Sequence, residues 1–198
     1  KLIKKNYSFF VAGHKGMVGS AIVRRLLESG YCNPSNGGKL YTLERKNLDL
    51  LNFDQVSSWF RKYKPNIVIL AAAKVGGIAS NSKYPFDFLS ENLRIQQNVI
   101  ESAWINDTKR LLFLGSSCIY PKNLAQPIRE EELLKNSLEK TNEAYALAKI
   151  SGIKLCEFLR LQHGFDGISV MPTNLYGPGD NYHSSESHVF ASFLRRFI

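Results

Sequence analysis

Tyr7-Ser8-Phe9-Phe10-Val11-Ala12-Gly13-His14-Lys15-Gly16-Met17-Val18-Gly19 is the stretch that decides how this chain is built. Its first half, Tyr7 to Ala12, is a short apolar run that predicts a buried strand. Beyond the turn, Val18, Ile22, Leu26 and Leu27 recur at helical spacing and predict a helix over Met17 to Ser29. Across this junction run Gly13, Gly16 and Gly19 in a GxxGxxG pattern. Glycines there let the backbone approach a pyrophosphate and let the helix seat on its strand, while the helix N-terminus offers free N–H groups to an anion. Gly13, His14, Lys15, Gly16, Met17, Val18 and Gly19 are therefore candidate dinucleotide contacts. The pattern is not the GxGxxG of many dehydrogenases, and a tight turn without ligand needs similar glycines; the strand-turn-helix setting favours the ligand.

The same alternation continues along the chain. Leu40 to Leu43 predicts a second strand, Asn52 to Tyr63 a helix with Asn52 as N-cap, and Ile67 to Ala72 a third strand. A long helix over Phe86 to Ile105 follows, then a strand over Leu111 to Leu114, a helix over Glu143 to Gln162 ending near Gly164, and a strand over Gly167 to Met171. The segment Asn33 to Lys39 predicts a loop. Strand and helix alternating in this way give a doubly wound parallel α/β sheet with both faces covered.

Composition narrows the setting. With 198 residues and 44% hydrophobic content the chain can bury a full domain core, and 22% charged residues fit a globular protein. Apolar runs such as Ile67 to Ala73 are too short to span a bilayer, and Phe9 to Ala12 is too short for a secretory signal core. No membrane partner and a cytoplasmic setting are expected. Cys32, Cys118 and Cys156 form no CxxC pair and read as reduced thiols. No metal site is expected. The net charge of +9 is scattered, with no aromatic-interleaved basic stripe, so nucleic acid is not an expected partner.

The end of the second strand is where a carboxylate favours the ribose of NAD and a basic group the 2′-phosphate of NADP. Glu44, Arg45 and Lys46 stand there. Arg45 can grip a phosphate with paired donors and Lys15 can add charge across the site, whereas Glu44 argues for NAD; the balance favours NADP(H). Further along, Tyr145-Ala146-Leu147-Ala148-Lys149 is a YxxxK spacing on one helical face. An ammonium beside the phenol should lower its pKa, making Tyr145 a candidate proton donor to a carbonyl. Gly115-Ser116-Ser117-Cys118 follows the fourth strand, at the sheet edge where such folds bind ligands, and Ser116 can donate to the same oxygen. Taken alone, Tyr145 and Lys149 would read as a solvated helix face and Cys118 as a small buried hydrophobe.

The glycine turn, Ser116 and YxxxK in that order resemble the extended short-chain dehydrogenase/reductases, which have a Rossmann fold. More specific stretches are similar to the GDP-L-fucose synthase family: Ala71-Ala72-Ala73-Lys74-Val75-Gly76-Gly77-Ile78, Leu114 to Pro121, Met171 to Pro178, and Asp180-Asn181-Tyr182-His183 leading to Ser187-His188-Val189. That resemblance implies a GDP-sugar substrate, GDP-4-keto-6-deoxy-D-mannose, epimerised at C3 and C5 and then reduced at C4 by NADPH. It implies Cys118 as base, His188 as acid, and Ser116, Tyr145 and Lys149 as the reduction set, with Lys149 on the nicotinamide ribose. Leu114, Gly115 and His188 are implied near the cofactor, Pro172, Thr173, Asn174 and Leu175 near the nicotinamide amide, and Arg196 near the substrate diphosphate. Lys15 departs from the Arg of relatives, which keeps the charge and loses a bidentate grip.

The resemblance also implies a homodimer, and a division into an NADP-binding domain over 1–178 and the start of a substrate-binding domain over 179–198. Family members continue with a further strand and most of that second domain, so a fragment with little activity of its own is expected. Two other readings remain: a different nucleotide-sugar epimerase or dehydratase, and a non-catalytic NADP-binding module.

Overall fold

In the computed structural model, which describes residues 2–183, 187 and 189–197, five parallel strands form one sheet. They are β1 (Ser8–Ala12), β2 (Lys39–Tyr41), β3 (Ile67–Leu70), β4 (Arg110–Leu114) and β5 (Gly167–Val170), in the order β2-β1-β3-β4-β5. The helices are α1 (Met17–Glu28), α2 (Phe53–Tyr63), α3 (Ile78–Lys83), α4 (Pro85–Ile105), α5 (Glu143–His163) and α6 (Val189–Phe197).

Side chains alternate across a strand, and the two faces are separate cores. Phe10, Ala12, Val68, Leu70, Leu111 and Phe113 face Val56 and Phe60 of α2, Val99, Ile100 and Ala103 of α4, and Cys156 of α5. Phe9, Val11, Ile67 and Ile69 face Ile22, Val23 and Leu26 of α1. All of β3 is buried, as befits a central parallel strand. The doubly wound sheet is thus present, with α1 on one face and α2, α4 and α5 on the other.

Register positions the site. Ala12 pairs with Leu70, Leu70 with Phe113, and Phe113 with Ser169, so the chain leaves β1, β3, β4 and β5 along one edge. Strand order reverses between β1 and β3, which opens a crevice between the segments that follow them.

Local signals explain most boundaries. Asn52 caps α2 by accepting from the Gln55 N–H at 3.0 Å, and Gly164 ends α5 with φ of +66°. Pro85 starts α4, where a missing N–H costs nothing. Three expectations are corrected. Leu27 is largely exposed and Val23 takes its place against the sheet. β2 is only Lys39–Tyr41, and the segment before it contains a 3-10 turn, Pro34–Asn36, capped by Asn33. α3 is an element that the sequence analysis does not assign. Cys32 and Cys156 are buried and their thiols are pushed up to about 11 by desolvation, in keeping with structural roles.

Candidate active site

The glycine turn fills the crevice at the β1 edge, and its three glycines are needed for different reasons. Gly13 has φ of +86°, and a Cβ there would lie 2.6 Å from the Ala72 nitrogen. A Cβ on Gly19 would overlap the Gly13 carbonyl oxygen. The first and third glycines are therefore demanded by strand and helix approaching closely. Gly16 is not: a Cβ would touch only the Gly13 oxygen, at an ordinary 3.5 Å. Its bare backbone instead faces the open cleft at the start of α1, where it is the N-cap with no side-chain cap bond and the first turn carries no acidic residue. Unclaimed N–H groups and an uncrowded backbone fit a dinucleotide pyrophosphate.

One cleft of about 1650 Å³ runs along this edge. Sites for a single drug-sized ligand are roughly 300–1,000 Å³, so this one has room for a dinucleotide and a second ligand. Its far wall beyond β2 is charged. Lys15 Nζ lies 2.7 Å and Lys46 Nζ 3.7 Å from the Glu44 carboxylate, and Arg45 Nε lies 3.4 Å from Asp49 Oδ1. Hydrogen bonding and attraction from Lys15 hold the Glu44 carboxyl below the usual range. Lys15 and Arg45 thus stand where a 2′-phosphate would be sought, but each already has a carboxylate partner.

At the opposite end, the segment after β4 turns sharply through a 3-10 turn, Ser117–Ile119. Ser116 starts it, and its Oγ accepts from the Cys118 N–H at 3.3 Å. Tyr145 and Lys149 descend from α5 into the same space, and Cys118 lines it beside them. Lys149 is 4% exposed, and its Nζ donates to the Leu114 carbonyl at 2.7 Å. This corrects the expected effect of the pair. Burial pushes the Tyr145 phenol up to about 12, the neighbouring Cys118 adds to the rise, and a hydrogen bond from Ser116 opposes it. The ammonium is held by a backbone carbonyl and sits 5.6 Å from the ring centre, and burial lowers Lys149 to about 8. Desolvation outweighs the charge that the YxxxK spacing places nearby.

Two contacts set how deeply α5 sits. Gln96 of α4 donates to the Ala148 carbonyl at 2.6 Å, next to Lys149. At Gly152, one turn on, a Cβ would collide with the Phe113 ring and with Gln96 Oε1 at 2.7 Å. The absence of a side chain lets α5 rest directly on β4.

Asn92, buried on the inner face of α4, is a residue that the sequence reading missed. Its Oδ1 accepts from the Lys74 N–H at 2.8 Å and its Nδ2 donates to the Lys74 carbonyl at 3.0 Å, clamping the segment after β3 that forms the cleft wall. Lys74 itself is held by Glu91 at 2.5 Å and Asp87 at 3.7 Å. The available signal was polar residues on an inward helix face, Asn92 and Gln96 lying four apart.

Pro172, Thr173, Asn174 and Leu175 line the cleft, as do Leu114 and Gly115. Phe190 and Phe193 of α6 join them, with the Phe190 ring tilted against Tyr176 at 4.4 Å between centres. Arg196 is exposed in the last turn of α6 and is not among the lining residues. His188 lies outside the described residues. Among the described residues no group of His, Cys, Asp or Glu is arranged to hold a metal, and no helix is long and apolar enough to cross a membrane.

Comparison with known proteins fits this geometry. The chain is 57% identical over 193 residues to GDP-L-fucose synthase 1 of Arabidopsis thaliana, a match covering 98% of this chain and 58% of that protein. It is 54% identical over 188 residues to GDP-L-fucose synthase of Escherichia coli K12, covering 95% and 57% respectively. The chain thus spans under three fifths of these curated relatives. Among solved structures, a GDP-mannoheptose C4 reductase from Campylobacter jejuni with NADP bound superposes with a TM-score of 0.90 at 36% identity, covering 99% of this chain and 56% of that one. The family described as NAD dependent epimerase/dehydratase matches residues 9–198, which takes in the glycine turn, Ser116 and the Tyr145–Lys149 pair, and the chain belongs to that family.

Proposed function

We propose that the protein converts GDP-4-keto-6-deoxy-D-mannose to GDP-L-fucose, by epimerisation at C3 and C5 followed by reduction at C4, using NADP(H) and acting in the cytoplasm. The observation that carries this reading is Cys118 sharing one end of the cleft with Ser116 and Tyr145 in a chain 57% identical to a GDP-L-fucose synthase. NADPH, when bound, supplies the hydride that reduces the C4 ketone. The glycine turn would hold its pyrophosphate, Lys149 its nicotinamide ribose, and the segment from Pro172 to Leu175 its amide.

The chain's own residues divide the remaining work. Both epimerised carbons flank the ketone, so removing a proton from either places charge on the ketone oxygen. Ser116 and Tyr145 donate hydrogen bonds to that oxygen. Cys118, as thiolate, removes the proton from one face of the sugar, and His188 returns one to the other. In the reduction Tyr145 gives its proton to the oxygen. Arg196 is assigned to the substrate diphosphate and must approach the cleft on binding.

Residues 1–178 are assigned to cofactor binding and 179–198 to the start of a substrate-binding domain, a division supported by the greater length of the relatives. Three free thiols support a reducing compartment. A homodimer is supported by Leu147, Phe158 and Leu161, exposed apolar residues on one side of α5.

The test is incubation of the complete protein with the keto sugar and NADPH in heavy water. The expected result is GDP-L-fucose, stoichiometric NADPH consumption and deuterium at C3 and C5. Cys118→Ser should lose most of the exchange, because a hydroxyl is a far weaker base than a thiolate. Sugar turnover without net NADPH consumption would instead identify an epimerase or dehydratase that recycles its cofactor.

A further inference from the structure

The charged wall beyond β2 contains a carboxylate for which phosphate binding has no use. Glu44 lines the cleft and is bridged to Lys15, which reaches it from the glycine turn, at 2.7 Å. Lys46 approaches the other carboxylate oxygen at 3.7 Å. Arg45 is paired with Asp49 at 3.4 Å. Two cations, Lys15 and Arg45, and two carboxylates, Glu44 and Asp49, thus line this end of the cleft, with Lys46 beside Glu44. A phosphomonoester of about two negative charges meets a wall only partly in its favour. A ribose with two hydroxyl groups meets a carboxylate able to accept from both.

The Lys15–Glu44 bridge is also easy to open. The two side chains are 67% and 42% exposed, and solvent-exposed ion pairs are weak because water and salt screen them. Lys46 remains beside Glu44 when Lys15 leaves, so the carboxylate is not stranded.

We propose that Glu44 sets cofactor discrimination by giving this end of the cleft two alternative states. With a 2′-phosphate present, Lys15 leaves Glu44 for the phosphate and Lys46 keeps the carboxylate. With a 2′-hydroxyl present, Lys15 stays on Glu44 and the carboxylate accepts from the ribose. NADPH is then preferred by a modest margin, and NADH is a true second ligand. This rests on the reading that the cleft binds a nicotinamide dinucleotide.

The test is calorimetric titration of the full chain with NADPH and with NADH, for the parent, Glu44→Gln and Lys15→Met. Thermal melts check folding, which exposed substitutions should leave intact. In Glu44→Gln, NADPH should bind about threefold more tightly, as an exposed charge contact is freed for the phosphate. NADH should weaken by about tenfold, having lost its charged acceptor. In Lys15→Met, NADPH should weaken by about fivefold while NADH changes by less than about twofold. An unchanged NADPH-to-NADH ratio in Glu44→Gln overturns the proposal. So does a loss of NADPH affinity in that variant, which would make the carboxylate a holder of Lys15 for the phosphate. If the parent binds neither dinucleotide, the cofactor reading of the cleft falls, and this inference with it.

Discussion

Lys15 and Lys149 face the same cleft from opposite ends, and their surroundings make them different reagents. The Lys15 side chain is 67% exposed and bridged to a carboxylate, whereas Lys149 is 4% exposed and donates to a backbone carbonyl. In water a charge acts by screened attraction, and its partners can exchange. In the interior, loss of solvation dominates, and it moves both Lys149 and Tyr145 toward their neutral forms. The comparison teaches that charge is screened and exchangeable at one end of the cleft, while at the other burial sets the protonation of its groups.

The largest effect should come from the dry end. Tyr145→Phe in the complete protein is expected to lower the NADPH-dependent reduction rate by about 10²–10⁴. Its dissociation constant for NADPH should stay within about twofold of the parent. Absorbance assays and titration read the two quantities separately, and parallel losses in both would erase the distinction between the ends.

The next largest is a pH effect on stability. With Lys149 lowered from 10.5 to about 8 in the folded chain, the unfolded chain binds the proton more tightly between those values. Stability therefore rises with pH through that window. The full penalty, about 3 kcal/mol, applies below pH 8 and is gone above 10.5. Urea unfolding of the cofactor-free parent and Lys149→Met at pH 7, 9 and 10 should show the parent gaining on the variant at each step. A constant difference would place the ammonium in water.

Glycine substitutions sharpen the comparison at the pyrophosphate. Gly13→Ala should cost about 1–3 kcal/mol of stability, since it combines a positive φ with a backbone collision. Gly16→Ala should leave the melting temperature unchanged yet weaken NADPH by about tenfold through crowding of the ligand. Equal destabilisation by both would make Gly16 a folding residue. The smallest effect is ionic: raising salt from 0.05 to 0.5 M should weaken NADPH by about threefold and NADH by less. Equal salt responses would remove the 2′-phosphate contact.

Legibility in the sequence followed the range of the interactions concerned. Strand β1, the glycine turn, α1, α4 and α5 were readable because period, caps and turn residues are local. β2 and α3 were harder: the first has three residues, and the second has six, with Ser80, Asn81 and Ser82 blurring any apolar face. Ser116, Tyr145 and Lys149 were singled out by order and spacing and Cys118 by family resemblance, and all four line the same cleft. The direction of the Tyr145 shift was not, because it depends on burial beneath other elements and on the Leu114 carbonyl taking the ammonium. The Asn92 clamp on Lys74 joins positions 18 apart and left only a faint trace, an amide on an inward helix face.

Gly152 bears on how this scaffold can be redesigned. Because α5 rests directly on β4 there, the depth of Tyr145 and Lys149 is fixed by the bulk of the Phe113 ring and by Gln96 rather than by anything lining the pocket. Helix α5 behaves as a fixed rail. On the proposed reading, tailoring the cleft to a differently substituted sugar should leave that rail and the 172–175 segment alone and vary the segment from 176 to 181, whose residues are mostly exposed along the cleft rim. New specificities can then be screened there without resetting the proton-transfer chemistry each time.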